Sequence, residues 1–464
     1  MPQATRAELF ALLRLAGPLI AAQLAHVLMV FTDTVMMGKL GPEALAAGGL
    51  GAAAYNLVSI FCVGVTAAVG NLVAIRHGAG DAHGVRLMTQ AGIWVALALA
   101  LLSMLLLWNA APFLRLAGQD EANIVGAMQF LQTLVFALPG YLLFMSLRGF
   151  TSALGKPGPV LAISLGGAAA NFVLNYVLIH GLCGLPKIGL AGIGLVTALV
   201  QTAMALLLAL YLRRQPFYRP WPLLPGLFAV RWTDIRENLR LGLPIGGTYA
   251  AEQGMFTFAT LCMGALGSVQ LAAHQIAIQA VYVAFMVPVG ISYAASFRIG
   301  QHYGAGRWHE ARQTGRLAIG LGALCMLGFA LLFWLAPHWV IELFLDAEDT
   351  QHRAVIELAV GLLAIAAWFE LCDGLQTIAM GAIRGLKDAR TTFYVGLLCY
   401  WGIGAPMAWG LAMPLSWGAA GVWWGLAIGL ACAACGLIAA FEWRTGRHLQ
   451  PLPVTKRVCL GGED

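Results

Sequence analysis

The chain has 464 residues, of which 60% are hydrophobic and only 10% charged, with a net charge of +6 and a mean hydropathy of +0.79. A soluble chain of this length carries about a quarter charged residues, so a soluble globular protein is excluded and a polytopic membrane protein is indicated. Twelve apolar spans are predicted in chain order, at 9–37, 44–75, 87–110, 122–146, 159–180, 190–212, 238–265, 270–300, 311–336, 353–383, 391–413 and 418–443. The first is too long for the apolar core of a cleavable signal peptide and is followed by further spans, so no cleaved leader is expected.

An even number of spans puts both termini on one side. Of the 27 Lys and Arg, all but Lys39, Arg115, Lys187 and Arg353 fall on that side. The positive-inside rule therefore predicts cytoplasmic termini. These basic residues serve topology and lipid headgroups; a nucleic-acid partner is not expected. The nine cysteines are scattered. Cys432 and Cys435 form a CxxC, but inside an apolar span with no second pair, which reads as packing and not as metal or redox chemistry.

The chain repeats itself with a shift of 226 residues. "LRLAGP" (13–18) falls on "LRLGLP" (239–244), "MGKLGPEALAA" (37–47) on "MGALGSVQLAA" (263–273), and "GAG" (78–80) on "GAG" (304–306). No GKS/T or GxGxxG follows the Gly-Ala-Gly, so it reads as a helix cap and turn. The fold expected is an all-α membrane protein with 12 transmembrane helices in two pseudo-symmetric six-helix bundles. The first bundle would cover 1–213, a cytoplasmic linker 214–237, the second bundle 238–443 and a cytoplasmic tail 444–464. Two parallel repeats related by an axis along the membrane normal are a transporter architecture, with substrate handled between them.

Burying a charge in hydrocarbon is costly, so acids inside spans usually face an interior pathway. Asp33, Glu252, Glu370 and Asp373 lie well inside spans. At about 1.5 Å per residue, Glu252 lies roughly 18 Å from the terminal-side edge and Asp373 roughly 17 Å. They therefore share a depth and can share one cation or one proton. Glu370 sits almost one turn further out on nearly the same face. Asp33 is higher, at roughly 28 Å, level with Asn175; Asn171 lies one turn below Asn175 and Thr197 is in the same outer half. An aspartate, two amides and a hydroxyl make an oxygen-rich pocket suited to a hard cation or a proton network. The repeat does not duplicate the acids, since Asp33 falls on Ala259 and Glu252 on His26, so two different sites are expected. His26 reads as a core hydrogen-bonding residue. Pro18 and its repeat Pro244 each free a backbone carbonyl and permit helix bending. Met36, Met37, Met255, Phe256, Phe258, Tyr282, Phe285 and Met286 suit an adaptable apolar cavity, or a core.

The stretches "PLIAAQLAHVLMVFTDTVMMGKLG", "LRGFTSALGKPGPVL", "NFVLNYVLIHG", "GLAGIGLVTAL", "RLGLPIGGTYAAEQGMF" and "FELCDGLQTIAMGAIRGLKD" resemble the multidrug and toxic compound extrusion (MATE) transporters of the NorM-like branch, from about residue 8 to 445. The resemblance implies a V-shaped pair of bundles that exports amphipathic, often cationic compounds by antiport with Na+ or H+. It implies a role for Asp33 in helix 1, Asn171 and Asn175 in helix 5, Thr197 in helix 6, Glu252 in helix 7 and Asp373 in helix 10. Some relatives have an acid where Asn175 stands. Some have a tyrosine where this chain has Phe369, which leaves a ring face for cation–π contact and weakens the case for sodium on Glu252 and Asp373.

A lipid-linked oligosaccharide flippase on a related fold is the alternative reading. It would need a basic cavity for a pyrophosphate, whereas the deep ionisable residues here are mainly acids. HExxH and GxSxG are absent, so an enzyme is not expected, nor is any cofactor beyond Na+ or H+ as the coupling ion. The remaining expectations are a bacterial cytoplasmic (inner) membrane, the lipid bilayer and small-molecule drugs and dyes as partners, and a monomer.

Overall fold

Internal hydrogen bonding is obligatory for backbone in hydrocarbon, and this chain meets it with helices. The computed structural model describes residues 3–181, 188–343 and 353–448. Lys187, together with Lys456 and Arg457 of the expected tail, lies outside the described residues. Among the described residues there is no strand.

The crossing helices are α1 (Gln3–Lys39), α2 (Pro42–Gly78), α3 (Ala82–Trp108), α4 (Glu121–Leu134 and Ala137–Ala153), α5 (Gly158–His180), α6 (Leu190–Arg214), α7 (Trp232–Leu266), α8 (Ser268–Gly304), α9 (Trp308–Leu335), α10 (Arg353–Gly385), α11 (Ala389–Ala412) and α12 (Gly418–Arg447). Ten are long and apolar enough to cross a membrane on their own, and the two pieces of α4, bent by 49°, make an eleventh crossing. The remaining one, α7, is 35 residues long, and its first turns carry Asp234, Arg236, Glu237 and Arg240. Between α6 and α7 the chain makes two short 3-10 turns, Pro216–Tyr218 and Leu227–Ala229. The repeat is visible in the elements: α2 and α8 start 226 residues apart, as do α3 and α9, and so do the short helices Ala111–Leu116 and Pro337–Glu342 that follow them.

Local chemistry accounts for several boundaries that differ from the hydropathy reading. Helix α3 starts at Ala82 and not near 87, because Asp81 caps it, its Oδ1 accepting from the Gly84 amide at 2.8 Å. The break in α4 falls at Val135–Phe136, just ahead of Pro139. A proline ring collides with the carbonyl four residues back, here that of Val135, and supplies no N–H to it. Pro18 and Pro244, by contrast, sit inside α1 and α7 without breaking either helix.

The two bundles meet on the side that carries the termini. One core cluster runs through both, joining Leu12, Leu19 and Leu72 to Ile245, Ile291 and Ile299. On the other side the cores are separate: Met255, Ala277, Leu363 and Trp423 form one, while Met36, Phe130 and Ile193 belong to another. The polar contacts agree. Ser296 donates to Asn71 at 2.8 Å, Arg76 pairs with Glu237 at 3.1 Å, and Glu8 accepts from Arg298 and from Thr314. The molecule is therefore a V, closed on the terminal side.

Small residues let the backbones touch there, as expected where apolar surface alone gives no preference for helix over lipid. A Cβ on Gly64 of α2 would lie 2.6 Å from the Gly246 Cα of α7. The Gly-Ala-Gly repeat sits on the pseudo-symmetry axis. A Cβ on Gly78 would meet the Gln301 backbone, and one on Gly304 would meet the Ile75 backbone, which are equivalent positions under the 226 shift. The last glycine of each motif, Gly80 (φ 71°) and Gly306 (φ 73°), takes the left-handed turn that ends the helix.

Candidate functional site

Asp33 is two turns from the end of α1, where the surrounding "MVFTDTVMM" offers it no charged neighbour in sequence. Its partners come from α5 and α6. Oδ1 accepts from Asn175 Nδ2 at 2.7 Å and from Asn171 Nδ2 at 3.1 Å, and Oδ2 accepts from Thr197 Oγ1 at 2.8 Å. The two asparagines are four residues apart, so both amides project from one face of α5 toward α1. A carboxylate only accepts, which orients both amides with their NH2 groups toward it. Their carbonyl oxygens point elsewhere, buried and without a partner among the described residues. The structure thus brings together the four residues singled out in the first bundle.

In the second bundle one amide links Glu252 and Asp373. The amide of Gln376 stands between them, its Nε2 donating to Glu252 Oε1 at 2.9 Å and to Asp373 Oδ1 at 3.1 Å. The Tyr400 hydroxyl donates to Gln376 Oε1 at 2.6 Å and fixes the amide in that sense. All four side chains are buried. Tyr400 lies in a π-helical stretch of α11, Leu398–Gly404. Pro406 follows it and cannot donate to the carbonyl of Gly402, so the helix widens there. Sequence reading missed Gln376 and Tyr400. Gln376 had a signal, a polar residue three after Asp373 in an apolar helix. Tyr400 had none, because its reach depends on how α11 packs on α10.

Glu370 is fully buried, and neither of its carboxyl oxygens has a hydrogen-bond partner among the described residues. Phe369 is also fully buried. Its ring packs edgewise on Phe256 and Trp423, with centroids 6.0 and 5.3 Å apart, so it belongs to the aromatic core of the second bundle. His26 stacks on Tyr141 at 5.3 Å, its Nε2 lying 3.5 Å from the phenol oxygen. Of the methionines, Met36, Met37, Met255 and Met286 are all buried in helix packing.

Two arginines counted with the headgroup-facing basic residues are not at the surface. Arg148 is 7% exposed and Arg384 5%. Arg148 donates to Gln23 at 2.6 Å and lies over the Tyr293 ring at 5.1 Å; Arg384 donates to the Tyr249 hydroxyl at 3.0 Å and lies over that ring at 4.8 Å. Long arginine side chains let the guanidinium turn inward onto aromatic faces.

The acids divide into two sets. Glu8, Glu237, Glu357 and Glu442, toward the helix ends, each pair with an arginine or lysine. Asp33, Glu252, Glu370 and Asp373 form no ion pair among the described residues; where they have partners, these are neutral donors. No group of three or more His, Cys, Asp or Glu side chains able to hold a metal occurs there either, and Cys432 and Cys435 are free thiols. Each bundle thus holds carboxylates that are hydrogen-bonded or buried yet form no ion pair among the described residues.

Comparison with known proteins agrees with this architecture. The family model described as MatE matches twice, at residues 18–177 and 244–409, the second match beginning at the same 226-residue shift as the repeat. The chain is 66% identical to a probable multidrug resistance protein NorM of Pseudomonas aeruginosa over 98% of its own length and 93% of that protein. It is 39% identical to the multidrug resistance protein NorM of Burkholderia vietnamiensis, covering 93% of each. Among solved structures it is similar to a eukaryotic MATE transporter, with a TM-score of 0.85 at 22% identity over 96% of this chain and 98% of that one. A second similar structure is described as the outward-facing conformation of a multidrug resistance MATE family transporter, with a TM-score of 0.86 at 18% identity over 96% and 97%. At these identities the two structures speak for the fold alone.

Proposed function

Because this chain belongs to the MatE family, we propose that it is a multidrug efflux antiporter, exporting amphipathic and often cationic compounds in exchange for Na+ or H+. It is a multi-pass membrane protein. The observation that carries the proposal is the set of deep acids that form no ion pair among the described residues, against Glu8, Glu237, Glu357 and Glu442 toward the helix ends, each paired with an arginine or lysine. A buried charge with only neutral donors is costly, and a proton, a sodium ion or a cationic drug each relieves that cost. The absence of a paired cationic side chain is what leaves the site free to choose among them.

In this reading Glu252 and Asp373 bind the coupling cation, with Gln376 holding them at one spacing and Glu370 as a nearby protonatable group. Asp33, with Asn171, Asn175 and Thr197, binds cation or drug in turn. Pro18 and Pro244 leave α1 and α7 able to flex as the sites load. The deep acids also favour cationic cargo over the pyrophosphate of a flippase substrate. Drug uptake into everted vesicles, driven separately by a sodium gradient and a pH gradient, tests the function. Uptake should follow one of the two gradients, and uptake indifferent to both would refute antiport.

The same proposal puts the termini in the cytoplasm of a bacterial inner membrane, on the strength of the basic asymmetry. The V then opens outward. With single cysteines in a cysteine-free background, an impermeant thiol reagent on intact cells should label position 119 and not position 219; the reverse pattern would overturn the orientation. Gln119 and Arg219 are both exposed, so accessibility within the fold does not bias the comparison.

A further inference from the structure

A cavity of about 670 Å³ opens on the terminal side, far larger than the about 30 Å³ of one water. Its walls are α1, the start of α5, the end of α6 with the chain that follows it, and Arg298 and Gln301 of α8, so an occupant touches both bundles. Three cations line it. Arg298 is neutralised by Glu8. Arg14 forms no ion pair among the described residues, and Lys156 lies only over the Phe217 ring, at 5.1 Å. Two uncompensated positive charges therefore face one space. Tyr218 also lines the cavity. It is 4% exposed, and its hydroxyl is buried with no hydrogen-bond partner among the described residues. Leaving such a group unpaired is costly, and a ligand acceptor relieves that cost. Beside the opening, Phe10 is 67% exposed, as suits a side chain that meets acyl chains.

We propose that this cavity binds the phosphodiester headgroup of an anionic phospholipid. Arg14 and Lys156 take the phosphate, the Tyr218 hydroxyl donates to one of its oxygens, and Phe10 and Phe217 border the glycerol and acyl portion. Neither the export reaction nor the deep acids enter this inference, which goes beyond the proposed function. A phosphate alone shares the headgroup's chemistry; the apolar rim favours the lipid.

The test is native mass spectrometry of the intact protein in detergent, titrated with phosphatidylglycerol, phosphatidylcholine or inorganic phosphate. The wild type should retain one phosphatidylglycerol in preference to phosphatidylcholine. Arg14→Gln with Lys156→Gln should weaken retention by roughly tenfold or more, the scale expected for two interfacial cations. Arg236→Gln with Arg240→Gln, which removes two exposed charges from the same side but away from the cavity, should leave it unchanged. Equal retention of phosphatidylcholine would overturn the proposal, as would an equal loss in the Arg236/Arg240 variant. Displacement of the lipid by an equal concentration of inorganic phosphate would identify a free-anion site instead. If the double variant does not fold, Lys156→Gln alone decides, since its side chain is exposed; unchanged retention there would reject the site.

Discussion

Glu252→Gln and Asp373→Asn should each abolish or sharply reduce coupled drug export while leaving the protein folded and expressed. The fold is spared because the amide of Gln376 donates to one oxygen of each carboxylate, and a carbonyl oxygen in the same place can accept the same bond. What each substitution removes is the charge. Losing one charged partner from a buried interaction costs about 2 kcal/mol or more, so the loss of transport should be roughly tenfold or greater. Since one amide ties the two acids into one unit, the double variant should be little worse than either single. Export measured in vesicles under an imposed gradient decides it: full activity in both single variants would remove Glu252 and Asp373 from the coupling site, and losses that multiply in the double variant would separate them into two sites.

Asp33→Asn is the second large effect. The substitution is isosteric, and its neighbours adapt. Asn171 and Asn175 can still donate to one oxygen, while the Thr197 hydroxyl turns to accept from the new NH2 group. Stability should therefore change little, and any loss of function reports the missing charge. If drug and coupling cation compete for this carboxylate, antiport follows, because a ligand shifts an equilibrium only through differential affinity. The variant should bind a cationic dye roughly tenfold more weakly and should no longer release it in response to pH or sodium. Neutral substrates should be less affected. Equilibrium dye binding to purified protein across pH and sodium concentration is the measurement. Wild-type affinity with wild-type ion dependence would reduce Asp33 to a helix-packing residue.

The sequence by itself determined the membrane class, the helical fold and the doubling of the chain. Each is a local or self-referential property. A helix satisfies its own backbone within about 20 residues, so a span is legible from its own composition, and a repeat is legible from the chain alone. The deep acids were legible for the same reason, since charge in a long apolar stretch stands out whatever surrounds it. Equal numbers of residues from a terminal-side basic residue grouped Asp33 with Asn175, with Asn171 one turn below and Thr197 in the same outer half, because rise per residue converts sequence distance into depth.

Depth is not direction, and that is where the tertiary structure decided. Arg148 and Arg384 sit at the depth expected of headgroup-facing residues, yet the rotation of α4 and α10 turns them inward onto Tyr293 and Tyr249. Phe369 is enclosed by Phe256 and Trp423, which come from helices distant in the chain. The Gln376 bridge and the Tyr400 hydroxyl that orients it depend on α11 packing against α10, with a π-widened turn ahead of Pro406 setting the reach. The side on which the V closes was likewise undetermined by composition. It is set by which glycines let α2, α7 and α8 approach backbone to backbone, and such contacts join residues as far apart as Ile75 and Gly304 in a register that only the packed helices define.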